Sequence, residues 1–232
     1  MNDYRNTAII VGVLFISATV FSILSSVFLG STLTAPNYLT SISAYKNPLI
    51  TAMILQLIAA ISAFGTAVFM FPVLKKYVES LAIGYVGLRL IENTFYVIGA
   101  SSLLIMLTVG QGYVAGTSNA SIYQPIGTLL LGLYHWAILI GTLIFAGLGS
   151  LTLNYVLYGS KLVPRWLSAW GLIGAALIVL YGLIGIFGFT TGFSTLSVLA
   201  LPIAVQEMVF AVWLIIKGFN PKTITQINNN FE

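Results

Sequence analysis

Six long apolar stretches constrain the fold of this chain more than any other feature of its sequence. Each is close to or longer than the ~20 residues that an α-helix needs to cross the hydrocarbon core of a bilayer. They are Thr7–Leu29, Leu49–Phe71, Ser80–Val109, Pro125–Tyr158, Trp166–Gly188 and Ser197–Ile216. Only 6% of the 232 residues are charged, whereas a soluble domain is about 25% charged. The sequence therefore predicts an all-α membrane protein, a polytopic bundle of six transmembrane helices.

The apolar stretches also exclude two other interpretations. They lack the alternation of polar and apolar residues that marks the strands of a membrane β-barrel. The first stretch is longer than the roughly 7–15 apolar residues of a signal peptide, so Thr7–Leu29 is interpreted as a retained helix. We expect residues 1–219 to form a single transmembrane domain. Residues 220–232 are polar and are expected to form a mobile cytoplasmic tail.

Small residues predict where the helices approach each other closely. The second stretch carries a ridge of alanines at Ala59, Ala63 and Ala67, and the fifth carries Gly171 and Ala175. Residues four apart lie on one helix face, and small side chains there let helix backbones come together in lipid. These ridges predict packing and carry no information about chemistry.

Basic residues predict the orientation of the bundle. If the N-terminus lies inside, the outer side receives only Lys46, and the inner side receives Arg5, Lys75, Lys76, Lys161, Arg165, Lys217 and Lys222. Cytoplasmic loops carry the excess of Lys and Arg, so both termini are predicted to be cytoplasmic, in a cell (inner or plasma) membrane. The sequon Asn119-Ala120-Ser121 then faces outward, where it matters only in a glycosylating host.

Ionisable side chains inside the stretches are the strongest indication of a functional site. An Arg or Glu near the bilayer centre costs at least ~2.5–3.5 kcal/mol on insertion scales, so such residues usually face the bundle interior and pair. By helix rise, Arg89 lies roughly 13 Å and Glu207 roughly 15 Å from the inner surface. Spacings of three and four residues put a polar stripe on the third helix: Tyr85, Arg89, Glu92, Asn93 and Tyr96.

We expect Arg89 to be the cation that makes Glu92 and Glu207 tolerable in the membrane. If both carboxylates are ionised, one negative charge is left over, and it should take up a proton or hold a cation. The sole histidine, His135, is a candidate for the balancing charge. The predicted binding residues are Arg89, Glu92, Glu207, His135, Asn93 and Gln56, and Gln206 adds to the polar lining.

Structural roles compete with this hypothesis. Buried Arg–Glu clusters often fix helix registry and do nothing more. His135 lies between Tyr134 and Trp136 and is interpreted more readily as a hydrogen-bonded packing residue than as a ligand. Gln56 and Gln206 are explained most simply as interhelical hydrogen-bonding residues.

The absence of motifs argues against several enzyme classes. No GxxxxGK[ST], HExxH or GxSxG sequence occurs, so phosphate-loop, zincin and hydrolase-elbow chemistry lack their motifs. One histidine and no cysteine cannot form a multi-histidine or cysteine metal centre, and Asp3 is the only aspartate. A dyad of Ser101 or Ser102 with His135 has no other support in the sequence. We predict no cofactor, no metal and no assigned catalytic residue.

Three sequence stretches resemble a known family. They are RLIE (Arg89–Glu92), KLVPRWLSAWGLIGAAL (Lys161–Leu177) and EMVFAVWLIIKGF (Glu207–Phe219). In this order they resemble a prokaryotic membrane family catalogued as domain-of-unknown-function family 4386, and the resemblance runs from about Arg5 to Phe219. It implies a six-helix inner-membrane protein. It implies no mechanism, because the family has no established activity.

Three functional hypotheses follow from these observations. In the first, the charged cluster binds a proton, a cation or a small cationic solute for transport or sensing. In the second, the protein is a membrane-embedded enzyme that acts on lipid, with Glu207 or His135 as general base. In the third, it is an auxiliary protein in which the cluster is purely architectural. The expected partner is the lipid bilayer and not nucleic acid, and the small size of the chain is compatible with a homodimer.

Overall fold

The protein is a bundle of antiparallel helices, seen here in a computed structural model that describes residues 2–116, 120–188 and 195–229. These residues form no strand. Six helical stretches among them are long and apolar enough to cross a membrane. The helices are α1 (Asn2–Leu29), α2 (Tyr38–Ala44), α3 (Lys46–Leu74), α4 (Glu79–Val114), α5 (Ala120–Ile138), α6 (Ala146–Ser160), α7 (Arg165–Ile186), α8 (Leu201–Ile216) and α9 (Pro221–Asn229). The predicted all-α, six-helix membrane bundle is thereby confirmed.

Two of the six spans have an irregular part. A π-helical segment, Leu139–Phe145, joins α5 to α6, so that Ser121–Ser160 is a single continuous span. A 3₁₀ segment, Thr195–Ala200, precedes α8, and together they give a span of Ser197–Ile216. The predicted limits of this last span are confirmed.

The loops on one side of the bundle are shorter than predicted. α3 begins at Lys46, before the predicted start of the second stretch at Leu49, because Pro48 is tolerated in the first turn of a helix. α4 continues to Val114, beyond the predicted end at Val109. The sequon begins at Asn119, which lies outside the described residues.

Contacts between helix ends show which ends lie together on each side of the bundle. The Lys76 ammonium donates to the Tyr4 hydroxyl at 2.7 Å, and the Arg5 guanidinium donates to the Ile215 carbonyl at 2.6 Å. We call this the termini side, because the start of α1 and the end of α8 lie there. Tyr38 and Thr128 hydroxyls lie 3.3 Å apart at the opposite end, which we call the far side.

Two apolar clusters fill the two halves of the bundle. The cluster of the termini side includes Phe15, Met70, Tyr85, Phe210 and Leu214. The cluster of the far side includes Leu39, Ile42, Met53, Leu103 and Met106. The predicted polar stripe of α4 crosses the level between them, which we call the middle level.

Glycines bring three pairs of helices into close contact. A Cβ on Gly12 of α1 would lie 2.7 Å from the Ala211 carbonyl oxygen of α8. A Cβ on Gly174 of α7 would lie 2.8 Å from the Ile203 amide nitrogen, again on α8. Gly171 packs against the side chain of Asn154, which joins α7 to α6. The predicted small-residue ridge of α7 therefore lies in a packed helix interface.

Gly174→Ala should destabilise the bundle. The new Cβ would meet backbone atoms of Ile203 that cannot rotate away, and overpacking of this kind costs ~1–3 kcal/mol. Gly84→Ala is the matched control, because a Cβ at Gly84 meets no atom within 4 Å. Thermal unfolding of both variants in detergent micelles measures the difference. Equal stability of the two variants would contradict the close contact between α7 and α8.

The start of α9 packs against the bundle. Thr223 and Ile224 at the start of α9 are buried, and the Thr223 hydroxyl donates to the Lys161 carbonyl at 3.4 Å. This contact crosses the predicted domain boundary at residue 219. The boundary itself and the mobility of residues 220–232 stay predictions.

Candidate functional site

A cavity of about 290 Å³ lies at the middle level of the bundle. All six spans contribute to its lining, and many of the lining residues are small or carry a hydroxyl, such as Thr19, Ala59, Thr142 and Ala146. At about 30 Å³ per water molecule, this volume holds a small solute or a cluster of waters. Arg89, Glu92 and Glu207 of the predicted charged cluster border this cavity.

Arg89 and Glu92 form a buried ion pair at the base of this cavity. They are three residues apart on α4 and so share a helix face. The Arg89 Nη1 lies 2.9 Å from the Glu92 Oε2, and the side chains are only 5% and 3% exposed. This short contact has the geometry of a charge-assisted hydrogen bond.

Glu207 approaches the same guanidinium from α8. Its Oε1 lies 3.8 Å from the Arg89 Nη2, which is longer than a hydrogen bond. The same oxygen accepts a hydrogen bond of 3.1 Å from the Ser150 hydroxyl of α6. The Glu207 side chain is 25% exposed and lines the cavity. Of the two carboxylates, Glu207 is therefore both the less tightly paired and the more accessible.

Aromatic side chains hold the guanidinium from the termini side. The Arg89 Nε donates to the Tyr85 hydroxyl at 3.4 Å, and the Tyr85 and Thr66 hydroxyls lie 3.1 Å apart. The guanidinium carbon lies 5.9 Å from the centre of the Phe15 ring and 5.6 Å from that of Tyr85. Both distances are within the range of a cation–π interaction. Arg89 is thus fixed in place with its charge directed toward the two carboxylates.

The charge balance of the cluster is uneven. Arg89 contributes one positive charge, while Glu92 and Glu207 contribute two negative charges when both are ionised. Among the described residues, no other cation lies within 4.0 Å of either carboxylate. A low-dielectric site with one unbalanced negative charge favours a proton or a cation.

The π-helical segment borders this cluster. A Cβ on Gly141 would lie 2.8 Å from the Phe95 Cβ and 3.4 Å from the Glu92 carbonyl oxygen, so the segment packs closely on α4. Thr142 lines the cavity, and its hydroxyl donates to the Ile138 carbonyl at 2.6 Å. π-helical turns are rare and occur frequently at functional sites. The irregularity of this span therefore coincides with the cavity.

The other predicted site residues lie outside the lining of the cavity. The Asn93 side chain donates to the Arg89 carbonyl at 2.8 Å, a hydrogen bond within α4. Gln56 is buried, and its side-chain atoms have no hydrogen-bond partner among the described residues. His135 is exposed, with its ring 5.7 Å from that of Tyr134. The structure brings together Arg89, Glu92 and Glu207, and it does not bring His135 to them.

Ser102 and Gln206 form hydrogen bonds that join neighbouring helices. The Ser102 hydroxyl donates to the Leu130 carbonyl at 2.6 Å, which leaves a dyad of Ser102 with His135 without geometric support. The Gln206 amide donates to the Asn154 side chain at 3.3 Å and to the Leu167 carbonyl at 3.2 Å. Gln206 therefore links α8 to α6 and α7, in agreement with a packing role.

Sequence reasoning missed Ser150, which donates to Glu207. A single serine in an apolar helix indicates packing as readily as function. Its position beside the small residues Ala146 and Gly147 of α6 was the one available signal, since a helix face of small residues leaves room for a cavity.

Among the described residues, no group of three or more His, Cys, Asp or Glu is arranged to hold a metal ion.

The fold and the site define a multi-pass membrane protein with an acidic cluster and a cavity in its interior. The chain belongs to the family described as Domain of unknown function (DUF4386), which it matches over residues 10–218. No curated protein and no solved structure matches the chain. The description of the family assigns no function, so the function has to be argued from the cavity.

Proposed function

We propose that the cavity binds a proton, a small inorganic cation or a small cationic solute at Glu207, and that the protein transports or senses this ligand. One observation carries the proposal: the carboxylate of Glu207 borders the cavity and lies 3.8 Å from a guanidinium that is already hydrogen-bonded to Glu92. A cation beside Glu207 would complete the charge balance of the cluster. The hydroxyls of Thr19, Thr142 and Ser150 are further oxygen ligands for it.

The shape of the cavity suggests access from the far side. Its lining continues along α1 from Phe15 to Ile23, and along α8 from Glu207 to Ala200 of the preceding 3₁₀ segment, in each case toward the far side. Toward the termini side, the Phe15 and Phe210 rings pack edge to face with their centres 5.5 Å apart. Together with the apolar cluster around them, these rings separate the cavity from the termini side.

We also propose that the termini side is cytoplasmic, in a plasma membrane. Lys76, Lys161, Arg165 and Lys217 lie on this side, and the excess of basic residues marks the cytoplasmic side of a membrane protein. The cavity would then receive its ligand from outside the cell. Transport would require a second state in which the contact between Phe15 and Phe210 opens.

A cysteine in the cavity tests this access. The chain has no cysteine, so Ala146→Cys places a single thiol in the lining. We expect a charged, membrane-impermeant thiol reagent to modify it from the far side and not from the termini side. Ala211→Cys is the control and should stay unmodified, because Ala211 is fully buried away from the cavity. Modification from the termini side alone would contradict the proposed direction of access.

A membrane-embedded enzyme is the second candidate, and one observation favours it. Ile23 and Ala204 border the cavity and are exposed on the surface of the bundle, so the cavity has an opening between α1 and α8. A lipid that entered there would meet Glu207 as a general base. Ala146→Cys distinguishes the two candidates: a lipid-facing cavity would react with a membrane-soluble maleimide and exclude the charged reagent.

A further inference from the structure

A second cavity, of about 520 Å³, lies on the termini side between two connections of the chain. One connection runs from α6 to α7 and the other from α8 to α9. Lys161, Arg165 and Lys217 line the cavity together with Trp213 and Asn220. This cavity shares no residue with the one that contains Glu207. We call it the basic cavity.

The backbone around the basic cavity is held by specific contacts. Lys161 ends α6 in the left-handed conformation, with φ of 59°. The backbone N–H of Asn220 donates to the Leu162 carbonyl at 2.8 Å, and the side-chain Nδ2 of Asn220 donates to the Lys161 carbonyl at 3.3 Å. Asn220 thereby ties the two connections together. Lys161 therefore extends from a backbone segment that is held by hydrogen bonds.

The charge of the basic cavity is of one sign. Its described lining holds two lysines and one arginine and no acidic residue. Among the described residues, no carboxylate lies within 4.0 Å of Lys161, Arg165 or Lys217. Three cations gathered without a counter-ion on the same side of a membrane protein favour a phosphate group.

An apolar groove continues directly from the basic cavity. It has a volume of about 380 Å³ and runs along α8, lined by Met208, Val209, Val212 and Ile216. Trp213 and Lys217 line both the groove and the basic cavity. Trp213 also packs against Trp166 at a ring distance of 6.5 Å, and tryptophans of this kind mark the level of the lipid headgroups. From that level, the groove extends along α8 toward the bilayer interior.

We propose that these two contiguous surfaces form a binding site for one anionic diacyl phospholipid. The phosphate of the headgroup would lie among Lys161, Arg165 and Lys217, and an acyl chain would lie in the groove beside Val212. Charge complementarity selects an anionic headgroup, and the purely apolar groove selects a lipid over a soluble phosphate. The site is independent of the proposed function of Glu207.

Competition between lipids in nanodiscs tests this site. The full-length protein is reconstituted with equal amounts of phosphatidylglycerol and phosphatidylcholine, extracted in mild detergent, and the retained lipid is counted by native mass spectrometry. We expect phosphatidylglycerol to be retained in preference. The triple variant Lys161→Gln, Arg165→Gln and Lys217→Gln should weaken this preference at least about tenfold, since each basic residue near the surface attracts anionic lipid.

Matched variants separate a site from general attraction. The control triple variant, Lys75→Gln, Lys76→Gln and Lys222→Gln, removes the same charge from residues of the termini side outside the basic cavity and should keep the preference. Val212→Trp should reduce retention by filling the groove, whereas Val205→Trp, exposed on the same helix outside it, should not. Equal losses in the two triple variants would overturn the proposal, because they would show general surface attraction.

Competition with soluble phosphate compounds tests whether the site binds a phospholipid or a free phosphate. Inorganic phosphate and glycerol 3-phosphate carry the charge of the headgroup without its acyl chains. We expect neither to displace phosphatidylglycerol at concentrations similar to that of the lipid. Displacement by either one at such concentrations would overturn the assignment to a phospholipid and identify a site for a soluble phosphate.

Discussion

Arg89→Leu should lower the free energy of unfolding by ~3–5 kcal/mol, the cost of breaking a buried ion pair by removing one partner. The substitution removes the charge that lies 2.9 Å from Glu92 and 3.8 Å from Glu207 and leaves two carboxylates in the interior of a membrane protein. Unfolding in neutral detergent, followed by circular dichroism against temperature or denaturant, measures the loss.

Two controls connect this loss to the carboxylates. Lys46→Leu removes an exposed cation outside the cluster and should change stability little. The triple variant Arg89→Leu, Glu92→Gln and Glu207→Gln removes the stranded charges and should recover most of the lost stability. If the triple variant were no more stable than Arg89→Leu, the shared guanidinium would not be what stabilises the cluster.

Glu207→Gln should strongly weaken cation binding while the protein stays folded. Glutamine keeps the shape of the side chain and an oxygen that accepts from Ser150, and Arg89 keeps its short contact with Glu92. The negative charge that faces the cavity is lost. Because an interaction with a charged group contributes ~1.5–3 kcal/mol, binding should weaken by at least about tenfold.

Calorimetric titration of the purified protein with Na⁺, K⁺ and ethylammonium measures this effect. Glu79→Gln is the matched control, since Glu79 is exposed at the start of α4, away from the cavity. Binding to the wild-type protein should also weaken as the pH falls, because a proton and a cation compete for one carboxylate. Unchanged binding by Glu207→Gln would leave the cluster with an architectural role only.

The architecture of this protein was predictable because a bilayer leaves few options. A helix that satisfies its own backbone hydrogen bonds is the only structure that apolar runs such as Thr7–Leu29 can adopt in lipid. The limits of the sixth span, Ser197–Ile216, were predicted to the residue. The short helix α2 and the extension of α4 to Val114 were not, because interfacial residues follow tertiary contacts such as that of Gly110 with Leu39.

The core of the candidate site was predictable from helix geometry. Arg89 and Glu92 meet because a spacing of three residues puts them on one face, and Glu207 meets them because the rise per residue puts it at the same level. His135 could not be placed in this way. The π-helical segment that follows it changes the rotation of the span, and nothing in the sequence Leu139–Phe145 indicates a π-helix.

Ser150 and the cavity itself depend on how six helices pack together. Packing faces in a membrane are determined by small residues on several helices at once, and apolar composition is nearly uniform around each helix. The contact between Ser150 and Glu207 arises where α6 and α8 both pack on α7. No single stretch of the sequence contains that information.

The charge state of the cluster is most directly measured by infrared spectroscopy. In buffer free of small cations, the unbalanced charge should be neutralised by a proton, so the wild-type protein should show the carbonyl band of a protonated carboxylic acid. The band should disappear in Glu207→Gln, persist in Glu79→Gln, and decrease when a binding cation is added. A band that is equally strong in Glu207→Gln would contradict the assignment of the surplus charge to Glu207.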